Sequence, residues 1–159
     1  MCIRDRPEPI SAQQLSAGLP MTPDVSGTFG ILSVQDAKSW ERLTDETLTS
    51  DERQTLEAGG VLVRDKKLID DSHTQITDSN EKSHTLDAQE GSFGNYWEKQ
   101  VGGVVLNSTA QSLEIPSTST LWIFDGLSAQ KAERVPEIAN YLGIPVSYTH
   151  LTLPTSDLV

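Results

Sequence analysis

The two ends of this 159-residue chain read as translations of complementary DNA, which limits the stretch a natural fold can draw on. Met1-Cys2-Ile3-Arg4-Asp5 can be encoded by ATG TGT ATA AGA GAC, whose reverse complement, GTC TCT TAT ACA CAT, reads in frame as Val146-Ser147-Tyr148-Thr149-His150. Both strings resemble the transposase mosaic-end adapter of shotgun library preparation, and Leu151 to Val159 reads as its continuation. Scars of this kind stand outside any argument about fold. The expected organisation is an adapter-derived segment over 1–6, an irregular N-terminal segment over 7–27, a single α+β domain fragment over 28–144 and a second adapter-derived segment over 145–159. The natural part is expected to be a piece of a longer, metagenomic parent.

About 140 residues are enough for one domain with a real core. The net charge of −11 survives trimming, because Arg4 and Arg6 leave together with Asp5 and Asp157. Such a balance repels phosphate backbones and anionic membrane surfaces, so no nucleic-acid partner is expected. The single cysteine, Cys2, lies in the adapter, which removes disulfides, thiolate metal sites and cysteine nucleophiles from the natural window. No apolar run approaches the roughly 18 residues that span a bilayer.

Along the chain, Ser11 reads as the cap of a short helix ending near Gly18. Thr28 to Val34 reads as a buried strand, and Asp36 to Leu43 as a helix with Ala37, Trp40 and Leu43 on one face. Thr49 with Glu52 forms a capping-box pattern, and Gly59-Gly60 ends that second helix before a strand reaching Val63. His73 to Thr77 and Ser83 to Asp87 flank a polar loop as a hairpin. Val101 to Leu106, Gln111 to Ile115 and Thr120 to Phe124 are further strands, with Pro116 ending the middle one. Ser128 caps a last helix through Leu142, in which Pro136 predicts a kink or a new first turn. The order predicts an α+β fold, mixed strands with two or three short helices packed on them. Ile31, Leu32, Val34, Trp40, Leu56, Val61, Val63, Leu121, Ile123 and Leu142 form the expected core.

Chemistry-bearing residues are dispersed. His73 and His84 would face one another across the hairpin, near Asp70, Asp71 and Asp87, a donor set that zinc could use. Their wide spacing favours ordinary surface histidines. Asp45, Glu46, Asp51, Glu52, Asp70, Asp71, Asp78 and Glu81 read as solvated turns and helix starts rather than an acid–base pair. Gly91-Ser92-Phe93-Gly94 lacks nucleophile-elbow spacing. Gly59-Gly60 and Gly102-Gly103 precede strands, whereas phosphate-cradling glycines follow them. No catalytic, cofactor or metal residue is therefore assigned. Phe93, Tyr96, Trp97, Trp122 and Phe124 could make an aromatic platform, but the area aromatics bury favours core packing. Within that set Tyr96 and Trp97, flanked by glycine and acid, are the candidate partner contact.

Seven short strings carry a resemblance. Phe29-Gly30-Ile31-Leu32-Ser33-Val34-Gln35-Asp36 leads into Trp40-Glu41-Arg42-Leu43, then Leu48-Thr49-Ser50-Asp51-Glu52-Arg53, then Leu56-Glu57-Ala58-Gly59-Gly60-Val61-Leu62-Val63. Later come Glu114-Ile115-Pro116, Leu121-Trp122-Ile123-Phe124 and Ala139-Asn140-Tyr141-Leu142-Gly143-Ile144. This order resembles the extracytoplasmic, MacB-like periplasmic domain of actinobacterial FtsX-like ABC transporter permeases. Where that group has Asp-Gly after the middle strand, this chain has Asp70-Asp71. The resemblance implies a non-catalytic module at the extracytoplasmic face of the membrane, coupled to substrate or partner proteins. It also implies an ABC ATPase subunit as partner through a membrane part, and a second permease copy or an extracytoplasmic protein as further partners. The other readings are a secreted acidic protein- or carbohydrate-binding module, and an enzyme of unknown reaction using the scattered acids with His73 or His84.

Overall fold

Strand β1 (Ile10–Leu19) organises the fold, because it changes face halfway along its length. Ile10 and Ala12 alternate into one hydrophobic cluster, whereas Leu15 and Leu19 point into another. The switch is a bulge: pairing with β2 (Phe29–Val34) loses register between Gln14 and Gly18. An extra residue in one strand reverses which side chains face inward, so one strand can serve two cores. The computed structural model describes residues 9–20, 29–124 and 128–143. The adapter-derived segments over 1–6 and 145–159 lie outside these residues, as does all of the segment 21–28.

The region Ile10–Ile123 forms one compact unit of α+β type. Its strands run β2, β6 (Val101–Leu106), β3 (Val61–Val63), β5 (Ser83–Glu90), β4 (His73–Asp78), β1, and β1 pairs back onto β2, closing a barrel. β7 (Ser117–Ile123) lies outside that ring, antiparallel to the first half of β1. The pairs β2–β6 and β3–β5 are parallel; β3–β6, β4–β5 and the pairings of β1 are antiparallel. Ile31, Val61, Val63, Ile76, Leu86 and Val105 form an inner cluster, and Leu32, Val34, Leu62 and Val104 contribute to a second one on the other face. β3 is buried at every position, as expected of a strand covered on both faces. At Gly103 a Cβ would lie 3.0 Å from the Ile31 Cδ1 and 3.1 Å from the Leu19 Cδ1, so a side chain there would press on the inner cluster.

The second cluster is covered by α1 (Ala37–Thr44) and α2 (Ser50–Glu57), which supply Trp40, Leu43 and Leu56. Asp36 caps α1 by accepting from the Ser39 N–H at 2.7 Å. Thr49 and Glu52 complete the expected capping box on α2. Glu52 also accepts from the Ser92 N–H, which ties the loop after β5 to the helix start. Glu41 accepts from Leu48 N–H and from Arg53, joining the two helices and holding its carboxyl below the usual range. At the end of α2, Gly59 takes φ 93°, and a Cβ on Gly60 would lie 2.7 Å from the Asp87 carbonyl. Both glycines are therefore dictated by the turn into β3.

Three expectations need correction. Ser11 to Gly18 is strand rather than helix, and residues 10–19 are an integral strand rather than an irregular segment. Its Ser, Ala and Gln side chains have little intrinsic strand preference, and pairing with β2, β4 and β7 overrides it. Gln111 to Ile115 is not a strand. Asn107–Ser112 forms helix α3, continued by Leu113 N–H to Thr109 carbonyl and Ile115 N–H to Ala110 carbonyl bonds, with Glu114 at φ 58°. Ala110 and Ile115 enter the inner cluster from this turn. Leu142 is 60% exposed, and Leu121 and Ile123 are half-buried against the outer cluster rather than enclosed. The remaining expected core residues are buried.

The unit that includes Phe124–Val159 contains α4 (Ala129–Leu142). Ser128 caps it through the Lys131 N–H, Gly143 ends it at φ 70°, and Pro136 is accommodated within a single helix. Among the described residues no helix is long and apolar enough to cross a membrane.

Candidate functional site

The bulge in β1 opens the surface beside it. Where β1 and β2 lose register, an open cleft of about 500 Å³ forms, lined by residues including Gln14, Ser16, Phe29, Asp78, Glu98 and Gln100. Gln14 spans it: its amide nitrogen donates to Glu98 at 3.3 Å, its amide oxygen accepts from Ser119 at 3.0 Å, and its carbonyl accepts from Thr118 at 3.1 Å. The Tyr96 hydroxyl donates to the same Glu98 carboxylate at 3.4 Å.

Through its bond to Glu98, Tyr96 links this cleft to an aromatic stack. Trp40 meets Phe93 edge-on at 4.9 Å between centroids and Tyr96 at 5.4 Å, and Tyr96 meets Trp97 at 4.8 Å. The Arg64 guanidinium lies 4.3 Å over the Phe93 ring and donates to the Val101 and Glu98 carbonyls. Burial lowers the Arg64 pKa from its ordinary value, with Tyr96 opposing. Burial, then the Glu98 charge and the hydrogen bond to it, raise the Tyr96 phenol far above the ordinary tyrosine range. Arg64 thus fastens the Phe93–Val101 connection to β3 through its backbone, a packing role with a charged group.

The hairpin tip forms the far wall. Asp78 and His84 are both buried and meet at 3.0 Å. Asp78 also accepts from the Asn80 and Lys82 N–H groups at 2.9 and 3.0 Å. The His84 hydrogen bond is the largest cause of its lowered pKa, and the two backbone donors add to it. The tip is fastened to β1 by Ser79 N–H donating to the Ser16 carbonyl at 2.8 Å.

Several sequence expectations change accordingly. His73 and His84 lie on opposite faces of the hairpin, since strand side chains alternate. His73 is exposed and meets Asp87 across the ladder at 3.1 Å, whereas His84 points inward. They cannot share a metal, and no cluster of three or more candidate metal ligands occurs among the described residues. The surface reading holds for His73 and fails for His84. Asp78 and Glu52 are buried rather than solvated. The alternation of His73–Asp78 and Ser83–Asp87 around Ile76 and Leu86 is the sequence signal that places Asp78 and His84 with the apolar residues. Tyr96 is fully buried, because its ring is clasped between Trp40 and Trp97; of the proposed contact pair only Trp97 is half-exposed. Phe93 is also core, while Trp122 and Phe124 are exposed.

The cleft is thus walled by carboxylates that already accept several internal hydrogen bonds, an arrangement suited to holding a surface in shape and to recognition by hydrogen bonding. A second open depression of about 560 Å³ is lined by Pro20, Leu68, Asp70, His73, Gln75 and Thr85 among others. No family model, no curated protein and no solved structure matches the chain.

Proposed function

We propose that the chain is a non-catalytic extracytoplasmic domain of an FtsX/MacB-like ABC transporter permease, which couples the membrane machinery to substrate or partner proteins. The observation that carries this reading is that the first four strings of the resemblance, between Phe29 and Val63, make one continuous structural passage, β2–α1–α2–β3, whose main apolar, capping and glycine positions have packing, capping or turning tasks. Trp40 and Leu56 cover the outer cluster, Thr49 and Glu52 cap, Gly59 and Gly60 turn, and Val61 and Val63 fill the inner cluster. A motif spent on architecture fits a module whose work is coupling. In this reading ATP hydrolysis belongs to a separate ATPase subunit, reached through a membrane part, and the domain faces the extracytoplasmic side. A second permease copy or an extracytoplasmic protein supplies further contacts.

A secreted acidic binding module ranks second, because its platform relied on Tyr96, whose ring is enclosed. An enzyme built on His84 and Asp78 ranks lower still, since both side chains are buried in the hairpin tip. Sequencing the genomic region around the coding segment tests the proposal directly. Membrane spans in the same reading frame and a neighbouring ATPase gene are expected. A complete gene without spans would overturn the reading, as would tight ATP or zinc binding by the purified chain in calorimetry.

A further inference from the structure

The cleft beside the β1 bulge holds a carboxylate that no cation among the described residues neutralises. Of the described residues that line it, the charged ones are Asp78 and Glu98. Asp78 is spent inside the hairpin tip, on His84 and on two backbone N–H groups. Glu98 is different. It is half-exposed, and its donors are the neutral Gln14 amide, at 3.3 and 3.5 Å, and the neutral Tyr96 hydroxyl at 3.4 Å. These contacts are long, since charged donors ordinarily sit about 2.7–2.9 Å from a carboxylate. Among the described residues no ion pair includes Glu98. Arg64 reaches the Glu98 backbone carbonyl at 3.1 Å, but it donates again to the Val101 carbonyl and lies over the Phe93 ring. The one buried guanidinium nearby is thus committed to packing, and the Glu98 carboxylate keeps room for a strong donor.

We propose that this cleft binds the guanidinium group of an arginine carried on a basic peptide segment of a partner protein, with Glu98 accepting its N–H groups. A guanidinium offers donors in a planar fork that matches a carboxylate, is weakly hydrated and packs on aromatic faces, here Phe29 in the cleft wall. A volume of about 500 Å³ lies in the range that takes a drug-sized ligand, more than one guanidinium fills, so flanking peptide atoms enter with it. Ser16, Ser79 and Gln100, which also line the cleft, supply hydroxyl and amide groups for those atoms. The net charge of −11 steers a basic segment toward the protein and repels an acidic one. Binding of this kind needs only the cleft and does not rest on the permease reading.

Titrating the isotope-labelled chain with the blocked tripeptide acetyl-Ala-Arg-Ala-amide, up to roughly 10 mM and followed by amide chemical shifts, tests it. Saturable shifts centred on Gln14, Glu98 and Gln100 are expected, with affinity falling as salt is added. The citrulline counterpart, which has the same shape without the charge, should bind about fivefold more weakly or worse. Glu98→Gln keeps an acceptor for Tyr96 but removes the charge, and should weaken arginine-peptide binding by a similar factor. Glu57→Gln removes an exposed charge on α2 and should leave the affinity within about twofold. Circular dichroism confirms that each variant is folded. Equal binding of the citrulline peptide overturns the proposal in favour of a site for neutral hydrogen-bonding ligands. Equal weakening by Glu57→Gln and Glu98→Gln overturns it as diffuse charge attraction. Agmatine binding as tightly as the peptide would make the ligand a small organic cation instead, and the absence of saturable shifts would leave the cleft without this role.

Discussion

Replacing Tyr96 by Ala should be among the most damaging single changes in this protein. The ring is fully buried between Trp40 and Trp97. A buried aromatic removes about 150–250 Å² from water, which at ~25 cal/mol per Å² is roughly 4–6 kcal/mol. Alanine retains some of that burial, and a compact unfolded chain lowers the total by about 10–40%. The cavity left among Trp40, Phe93 and Trp97 acts in the opposite direction, so the net loss should be about 3–5 kcal/mol. That is a large part of the roughly 5–15 kcal/mol stability of an ordinary domain. Tyr96→Phe keeps the ring and loses one long hydrogen bond to Glu98, so its cost should be about 1 kcal/mol or less. Urea unfolding followed by fluorescence, with m-values compared between variants, measures both. A Tyr96→Ala cost below about 1 kcal/mol would refute the packing argument and return Tyr96 to the surface. The phenol adds an alkaline signature. Its folded pKa is raised, so the folded state keeps a proton that the unfolded chain releases above about pH 10. Stability is intact below that pH and falls as pH rises beyond it, a limb that Tyr96→Phe should remove.

Asp78 should give the opposite limb. Its folded pKa is lowered, so its contribution is present above the ordinary carboxylate value near 3.9 and is lost as pH falls below it; Asp78→Asn should flatten that acid limb in pH-dependent urea titrations. Gly60→Ala should destabilise by about 1–3 kcal/mol in the same assay, because its Cβ would meet the Asp87 carbonyl at 2.7 Å and the Thr55 carbonyl at 2.8 Å, both backbone atoms. Thr49→Ala should cost about 1 kcal/mol by removing the cap of α2, and Thr49→Ser should restore most of it.

Features legible in the sequence are those whose physical cause is local. The capping box of α2, the glycine turn into Val61, the β4–β5 hairpin and the apolar run of β6 depend on bonds and side-chain alternation within a few residues. They were read nearly to their observed bounds. β1 was misread because Ser11 and Gly18 carry helix-end signals, whereas its hydrogen bonds go to strands at Phe29, Thr77 and Ser117 and beyond, which no window around it contains. The strand expected over Gln111 to Ile115 fails for the same reason in reverse: the apolar Leu113 and Ile115 before Pro116 suggest a strand until the inner cluster takes Ile115, with Ala110, from one helical turn. The site divides along the same line. Strand alternation alone puts Asp78 and His84 on the inner face, but only the tertiary structure decides that Tyr96 is buried. Trp40 arrives from α1 to enclose its ring, and burial belongs to whatever the rest of the chain brings alongside.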